Sequence, residues 1–265
     1  MRQEVGRGRT QNEFSLDMLF KEYLVVIKMD SYAEAERLSW NMPLFGAIMI
    51  MPNYKFMEVI MPLSISESPY YGAGSITREQ FLFYEMRTTA RLMREGLSDE
   101  EILKRIVEEN LFQYPTEKTI KQTAGACIRR LHALNDPDLV DAIATLDLDT
   151  SKQVCLYAMM KQYRLIWDFM ITVIGSKYRQ QDYSFSRRDI NVFFLQLQEQ
   201  DDLVASWSEG TIKKIGSVLM RVLIDNEYIE SGRSNKLQPV LLSHVLENAI
   251  RNNGEEMALA AFNCF

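Results

Sequence analysis

The sequence has little of the residue types from which most catalytic centres are built. Its 265 residues include two histidines, His132 and His244, and three cysteines without paired spacing, so a metal cluster or a Ser/His/Asp relay is not expected. No glycine-rich stretch ends in the lysine of a phosphate-binding loop. None of the twelve lysines has an acid two residues before it, a spacing common in metal-dependent nucleases. We therefore expect no catalysis, no bound metal and no cofactor.

Long apolar runs and a surplus of basic residues are also missing. The most apolar stretches, residues 42–51 and 165–174, are far shorter than the ~20 residues of a membrane-spanning helix. The charged opening leads into a stretch that charged residues interrupt, so no signal peptide is expected. A net charge of −6 excludes a protein that coats nucleic acid indiscriminately. Cys127 and Cys155 lie on apolar helix faces, which predicts buried thiols and a cytoplasmic protein.

What the sequence does contain is a segment that occurs twice. Residues 117–121 (EKTIK) reappear 92 positions later as residues 209–213 (EGTIK), and the similarity continues for about ten further residues. Each copy follows a hydroxyl residue, Thr116 or Ser208, that can accept hydrogen bonds from the free amides of a helix start. The repeat therefore predicts two helices with the same kind of beginning.

A further helix is predicted shortly before each copy, because each is preceded by a capping-box pattern. Ser98 and Glu101 form the pattern in the first case, and Ser186 and Asp189 form it in the second. Two helices joined by a short connection, found twice, indicate two helix-turn-helix units. This motif binds nucleic acid more often than it does anything else.

A β-hairpin is predicted after the second unit. Residues 227–229 and 236–237 are short β-prone runs on either side of a glycine-containing turn. A hairpin in this position is the wing of a winged helix, so the predicted fold class is all-α with two helix-turn-helix units, the second winged.

The second helix of each unit carries basic residues on the side opposite its apolar stripe, and the predicted hairpin adds two more at its tip. Phosphate contacts need such a local positive field rather than a basic protein overall. Gly125 leaves space on the first of these faces, where a phosphate could approach. The candidate DNA-binding residues are Lys118, Lys121, Gln122, Arg129, Lys213, Lys214, Ser217, Arg221, Arg233 and Lys236.

Two other patterns concern the body of the protein. Residues 77–80 resemble another capping box, opening a helix that Gly96 ends. Residues 164–178 are apolar nearly all round, which predicts a buried central helix, and Asp168 within it is interpreted as a structural partner of Arg164.

The chain is predicted to have four parts: an accessory segment, a first helical unit, central buried helices, and a winged-helix unit with a terminal helix. The segment is either a methionine-rich extension or a region that precedes the true translation start, and alternation in residues 53–61 hints at a strand. The four parts are residues 1–74, 75–136, 137–182 and 183–265.

Several motifs in order resemble one known family. They are residues 108–115 (EENLFQYP), 156–160 (LYAMM), 164–170 (RLIWDFM) and 205–214 (ASWSEGTIKK). Over residues 75–250 the chain resembles BrxA, a core component of bacteriophage exclusion (BREX) defence systems. The resemblance implies a mainly helical, non-catalytic protein that binds double-stranded DNA beside a methyltransferase, an ATPase and a phosphatase-like protein.

The sequence is thus interpreted as a cytoplasmic DNA-binding component of a bacterial phage-defence system, with no membrane association. The alternative is a protein-interaction scaffold whose basic faces meet acidic surfaces of partner proteins. A weaker third alternative is an enzyme whose signature is not recognisable.

Overall fold

The computed structural model describes Phe14–Phe20, Tyr23–Met29, Ile48–Met49 and residues 68–265. The chain divides into two units, Met1–Ser64 and Ile65–Phe265. The predicted strand at residues 53–61 lies outside the described residues.

The first unit contains a three-stranded antiparallel sheet in the order β2-β1-β3, where β1 is Phe14–Phe20, β2 is Tyr23–Met29 and β3 is Ile48–Met49. In the pairing of β1 with β2, Phe14 lies opposite Met29 and Phe20 lies opposite Tyr23. The β-branched and aromatic residues of the YLVVIKM segment favour a strand. The all-α prediction did not include this sheet.

The second unit is helical, as predicted. Its α-helices are α1 (Phe83–Arg94), α2 (Asp99–Glu108), α3 (Glu117–Leu134), α4 (Pro137–Thr145), α5 (Leu148–Gln162), α6 (Arg164–Asp168), α7 (Ser176–Arg179), α8 (Arg187–Gln200), α9 (Asp202–Ala205), α10 (Glu209–Asp225) and α11 (His244–Asn252). A π-helical turn, Phe169–Gly175, joins α6 to α7, and 3₁₀ segments occupy Ala73–Thr77 and Glu256–Phe262.

The repeated sequence begins a helix in both copies, and its shared threonine belongs to the cap. The Thr116 hydroxyl accepts a hydrogen bond from the Thr119 amide, as the Ser208 hydroxyl does from the Thr211 amide. The capping boxes predicted at Ser98 and at Ser186 are both confirmed, and they begin α2 and α8. Local side-chain chemistry thus determines where these four helices begin.

Two clusters of buried side chains hold the second unit together. A small cluster lies between the end of α1, α2 and α3, with Ile102, Ile106 and Ile120 at its centre. The large cluster contains the rest of the unit, including the apolar sides of α8 and α10. Cys127 and Cys155 are both buried in it, as predicted, and burial raises the pKa of both thiols.

The central helical tract is also as predicted. It runs from Arg164 through the π-helical turn to Arg179, and Phe169, Met170 and Ile174 within it are buried. Asp168 accepts a hydrogen bond from Arg164, with 2.9 Å between Oδ2 and Nε, which confirms the predicted structural pairing.

A buried arginine ties the segment before α1 to α3. The guanidinium of Arg130 is fully buried and donates to the backbone carbonyls of residues 79, 80 and 81. It also lies 5.2 Å from the centre of the Tyr163 ring. Because a buried charge is costly unless it is hydrogen-bonded, these carbonyls offset part of the cost, while the buried Nε of Arg130 has no hydrogen-bond partner in the described part of the chain.

The same arrangement explains why the capping box predicted at residues 77–80 does not form. In that pattern Thr77 is the N-cap and Gln80 the N3 residue, but the Thr77 hydroxyl donates to the Gly74 carbonyl at 2.9 Å and the Gln80 carbonyl accepts from Arg130. The Glu79 carboxylate is buried and accepts from the Tyr163 hydroxyl and the Arg129 guanidinium. α1 begins later, at Phe83, after Leu82 adopts a left-handed backbone. Gly96 ends the helix with a positive φ, as predicted.

The β-hairpin predicted after α10 does not form as two paired strands. Glu227 has a left-handed backbone, and buried Tyr228 turns its hydroxyl to the Ala261 carbonyl at 2.9 Å. Lys236 instead pairs with Ser184, in the segment before α8. One backbone hydrogen bond, from the Gln238 amide to the Tyr228 carbonyl, joins the first predicted run to the residue after the second. The contacts that Tyr228 makes with residues distant in the sequence thus replace the strand pairing predicted within the hairpin.

None of the helices in the described part of the chain is both long enough and apolar enough to cross a bilayer.

We expect Arg130→Met to lower the free energy of unfolding by about 3–5 kcal/mol, because the change leaves three inward-facing carbonyls without donors and Glu79 buried beside them. Arg130→Lys should recover only part of this loss, since an ammonium cannot reproduce the planar fork of a guanidinium. Urea unfolding followed by circular dichroism measures both. Arg188→Met, at an exposed position, is the control, and an equal effect of the two methionine variants would contradict the expectation.

Candidate nucleic-acid interface

α10 presents the clearest cationic surface among the predicted site residues. Ile215, Leu219 and Leu223 are buried against the core, so the opposite side of the helix faces solvent. Lys213 and Lys214 lie on that side, are exposed, and have no carboxylate oxygen within 4 Å among residues 68–265. Their charges are therefore not cancelled by a direct ion pair.

The other two predicted residues of α10 make contacts within their own helix. The Ser217 hydroxyl is exposed and donates to the Lys213 carbonyl at 2.9 Å. Arg221 is exposed but pairs with Asp225 one turn later, with 2.9 Å between Nε and Oδ1. Arg221 thus adds less net charge to this surface than its exposure indicates.

Gly210 and Gly216 have different roles in α10. A Cβ built at Gly210 would have only ordinary contact with the Ser208 hydroxyl, so the start of the helix is open to solvent. A Cβ at Gly216 would lie 3.2 Å from a methyl of Ile190, so this glycine permits α10 to pack closely on α8.

The corresponding surface of α3 is more nearly neutral. Lys118 and Lys121 are exposed, but Lys121 pairs with Glu117. Gln122 is half-buried. A groove of about 730 Å³ between α2 and the start of α3 adds further acids, since Glu100 and Glu108 line it together with Lys104.

Arg129 has a structural contact rather than a free guanidinium. Its Nη2 lies 3.0 Å from Oε1 of Glu79, whose side chain is only 6% exposed. The space that Gly125 was predicted to leave is next to this guanidinium, because a Cβ there would lie 3.4 Å from Nη1. A phosphate that approached this face at Gly125 would therefore meet an arginine that already pairs with Glu79.

The two predicted residues after α10 lie in an exposed loop. Arg233 and Lys236 are both exposed, and neither has a carboxylate oxygen within 4 Å in the described part of the chain. The loop is held by its neighbour in space: the Phe185 amide donates to the Asn235 carbonyl, and the Leu237 amide donates to the Tyr183 carbonyl.

This pairing brings in two residues that sequence reasoning missed, Arg187 and Arg188. Both are exposed at the first turn of α8. They follow the segment that pairs with residues 235–237, so the pairing places the start of α8 next to the loop that carries Arg233 and Lys236. Two adjacent arginines just after an N-cap serine are visible in the sequence, but their nearness to the loop depends on long-range pairing.

The acidic residues near this surface already form ion pairs with a lysine. Lys177 lies 2.9 Å from Asp182 and 3.0 Å from Asp189. Hydrogen bonds from Ser184 and Lys177 hold the pKa of Asp182 well below its usual range. Burial would raise the pKa of Asp189, but Lys177 and the Ser186 amide outweigh it, so that this pKa is lowered.

Residues 68–265 and the three strands contain no group of three histidine, cysteine, aspartate or glutamate side chains placed to hold a metal ion.

Comparison with known proteins gives consistent matches over the helical unit. Residues 70–254 match the profile of the BrxA family. The chain is 32% identical over 177 residues to a protein of Bacillus cereus named BREX protein BrxA, covering 66% of this chain and 88% of the relative. A protein of the same name from Escherichia coli is 24% identical over 183 residues, covering 69% of this chain and 85% of the relative.

A solved structure shares the fold. The crystal structure of an uncharacterized protein from Magnetospirillum magneticum superposes with a TM-score of 0.62 at 22% identity, covering 71% of this chain and 96% of that one.

We expect Lys177→Met to reduce the free energy of unfolding at pH 7, where Asp182 and Asp189 are both ionised. A carboxylate with a lowered folded pKa contributes stability above its unfolded pKa of about 4, and this contribution is lost as the pH falls towards the folded value. The difference between variant and wild type should therefore shrink between about pH 4 and pH 2. Urea unfolding at a series of pH values tests this, and a difference that does not change with pH would contradict it.

Proposed function

This chain belongs to the BrxA family, and on that basis we propose that it is a non-catalytic component of a bacterial BREX phage-defence system that binds duplex DNA in the cytoplasm. The family relatives carry the BREX name, and the helical unit of this chain corresponds to most of their length. The proposed partners are double-stranded DNA and other BREX proteins, among them the methyltransferase, the ATPase and the phosphatase-like component.

The observation that carries the DNA-binding proposal is the exposed pair Lys213 and Lys214 on α10. In helix-turn-helix proteins the second helix of the unit enters the major groove. Here α8, the short α9 and α10 follow one another in that order, and α10 presents the two lysines away from the core. Because no carboxylate pairs with them among residues 68–265, they can exchange their counterions for phosphates.

The unit formed by α2 and α3 is proposed to contribute less to DNA affinity. Lys121 and Arg129 are engaged by Glu117 and Glu79, and α2 places further acids near the start of α3. Lys118 is the exposed cation of this helix that has no carboxylate oxygen within 4 Å in the described part of the chain. We propose that this unit adds a weaker, non-specific contact.

Salt-dependent binding to a duplex tests the α10 surface. The slope of log affinity against log salt is about −0.9 for each phosphate contact. Lys213→Ala/Lys214→Ala removes two such contacts, so its slope should be less steep than that of wild type by about 2. Lys104→Ala, at an exposed lysine of α2, is the control and should leave the slope unchanged. Fluorescence anisotropy of a labelled duplex between 50 and 400 mM salt gives both values. Equal slopes for wild type and the double variant would contradict the role of α10.

Arg129 offers a second test, since its contact with Glu79 is structural. Arg129→Ala should lower the free energy of unfolding by about 1–3 kcal/mol, because the buried Glu79 carboxylate loses a charged donor. Its effect on the salt slope should be much smaller than that of the lysine pair. A variant with normal stability and weakened DNA binding would show that Arg129 contacts phosphate instead.

The alternative function is a scaffold that docks partner proteins, and one observation favours it. Val192 and Leu195, one turn apart on α8, are 43% and 60% exposed. Val192→Ser/Leu195→Ser should leave duplex binding unchanged if the protein acts on DNA through α10. Loss of co-purification with another BREX protein, together with no measurable duplex binding by wild type, would favour the scaffold.

The absence of catalysis is part of the proposal and has its own test. Incubation of the purified protein with duplex DNA and Mg²⁺ or Mn²⁺ should give no cleavage and no other chemical change in the DNA. Metal-dependent turnover that follows the protein through purification would revive the enzyme alternative.

A further inference from the structure

We infer that a second cationic cluster, made of Arg187, Arg188, Arg233 and Lys236, is a binding site for the phosphodiester backbone of a duplex. The inference rests on the proposed function and extends it, because it adds a site on the other side of the α8–α10 contact. Two of the four residues, the arginines of α8, are not among the candidate DNA-binding residues predicted from the sequence.

The cluster is assembled by backbone pairing between two segments that are distant in the sequence. Ser184 pairs with Lys236 in antiparallel orientation. The Phe185 amide donates to the Asn235 carbonyl at 3.0 Å, one step further along the same pairing. Arg187 comes two residues after Phe185, and Arg233 comes two residues before Asn235. The pairing therefore brings the start of α8 next to the loop that carries Arg233.

Buried side chains fix this arrangement. Phe185 and Leu237, which lie within the paired segments, are 1% and 0% exposed. α8 begins at a capping box in which the Asp189 carboxylate accepts from the Ser186 amide at 2.7 Å. The cations thus extend from a backbone that is already ordered, which lowers the conformational entropy lost on binding.

The charge of the surface stays positive when its acids are counted. All four cationic residues are exposed, and none has a carboxylate oxygen within 4 Å among residues 68–265. The acids of this region, Asp182 and Asp189, both pair with Lys177. Exposed Glu230 lies at the other end of the loop, where Gln238 contacts it. Five cations against three acids leave a net positive charge of about two for phosphates.

The cluster is close to the lysines of α10. A Cβ at Gly216 would lie 3.2 Å from Ile190, which marks where α10 crosses α8. Arg187 precedes Ile190 by three residues, and Lys213 precedes Gly216 by three residues. Three residues of helix span about 4.5 Å, so both groups lie within about one turn of the same crossing. One duplex can therefore meet α10 with one stretch of backbone and this cluster with another.

Two double variants test the cluster, Arg187→Ala/Arg188→Ala and Arg233→Ala/Lys236→Ala. Each should make the salt slope about 2 less steep and weaken duplex binding about 30-fold at 0.15 M salt, if the lines converge near 1 M. Arg187→Lys/Arg188→Lys keeps the charge and should retain most of the slope. Lys104→Ala/Arg251→Ala removes the same charge from α2 and α11 and should leave the slope unchanged.

The outcomes separate this inference from the function on which it rests. If wild type binds a duplex, the α10 lysine variant weakens binding and the cluster variants bind like wild type, the cluster assignment is overturned and the proposed function stands. If wild type does not bind a duplex, both are overturned. If the cluster variants lose affinity for single-stranded DNA but not for a duplex, the duplex assignment is overturned. The unfolding temperature of every variant should lie within about 2 °C of the wild-type value, so that only folded proteins are compared.

Discussion

The helical unit depends on the burial of one charged side chain, that of Arg130. Its guanidinium holds three consecutive carbonyls of the segment before α1 and stacks against Tyr163 at the end of α5. Glu79, from the same segment, binds Tyr163 and Arg129. α3 is thereby connected both to the beginning and to the middle of the unit. This network, rather than hydrophobic contact alone, fixes how α3 can present its outer face.

The two copies of the repeat have retained their helix starts but not their electrostatics. Thr116 with Thr119 and Ser208 with Thr211 make the same cap, which explains why the threonine is shared. On α3, Lys121 pairs with Glu117 of the same helix and Arg129 pairs with Glu79 of the segment before α1. On α10 the two lysines have no such partner in the part of the chain that the structure describes. Two cations of α3 are therefore engaged in contacts within the protein, whereas the two lysines of α10 are exposed.

The features that the sequence predicts correctly are those with local determinants. The capping boxes at Ser98 and Ser186, the left-handed Gly96 and the Asp168–Arg164 pair all depend on residues a few positions apart. Prediction failed where a distant residue outcompeted a local pattern. Residues 77–80 do not begin a helix, because the carbonyls of residues 79–81 bind the guanidinium of Arg130 and the Thr77 hydroxyl donates to the Gly74 carbonyl.

The candidate site shows the same division. A helical wheel placed Lys213 and Lys214 on the exposed side of α10, because that depends only on the period of one helix. It could not show that Arg129 is occupied by Glu79, fifty residues earlier. Nor could it show that Arg187 and Arg188 lie beside the loop of Arg233. That juxtaposition follows from a bridge between Ser184 and Lys236, whose pairing has no signature in the local sequence.

The last 3₁₀ segment, Glu256–Phe262, has a consequence for choosing fragments of this protein. Similarity to the family profile ends at residue 254, yet Ala258–Phe262 are almost completely buried. Gly175 of the π-helical turn is packed so closely on Ala260 that a Cβ there would lie 2.8 Å from the alanine methyl. Ending the chain where the match to the family profile ends would thus remove buried residues of the core and expose the side chains that pack against them. An affinity tag is better attached after Phe265, whose side chain is exposed.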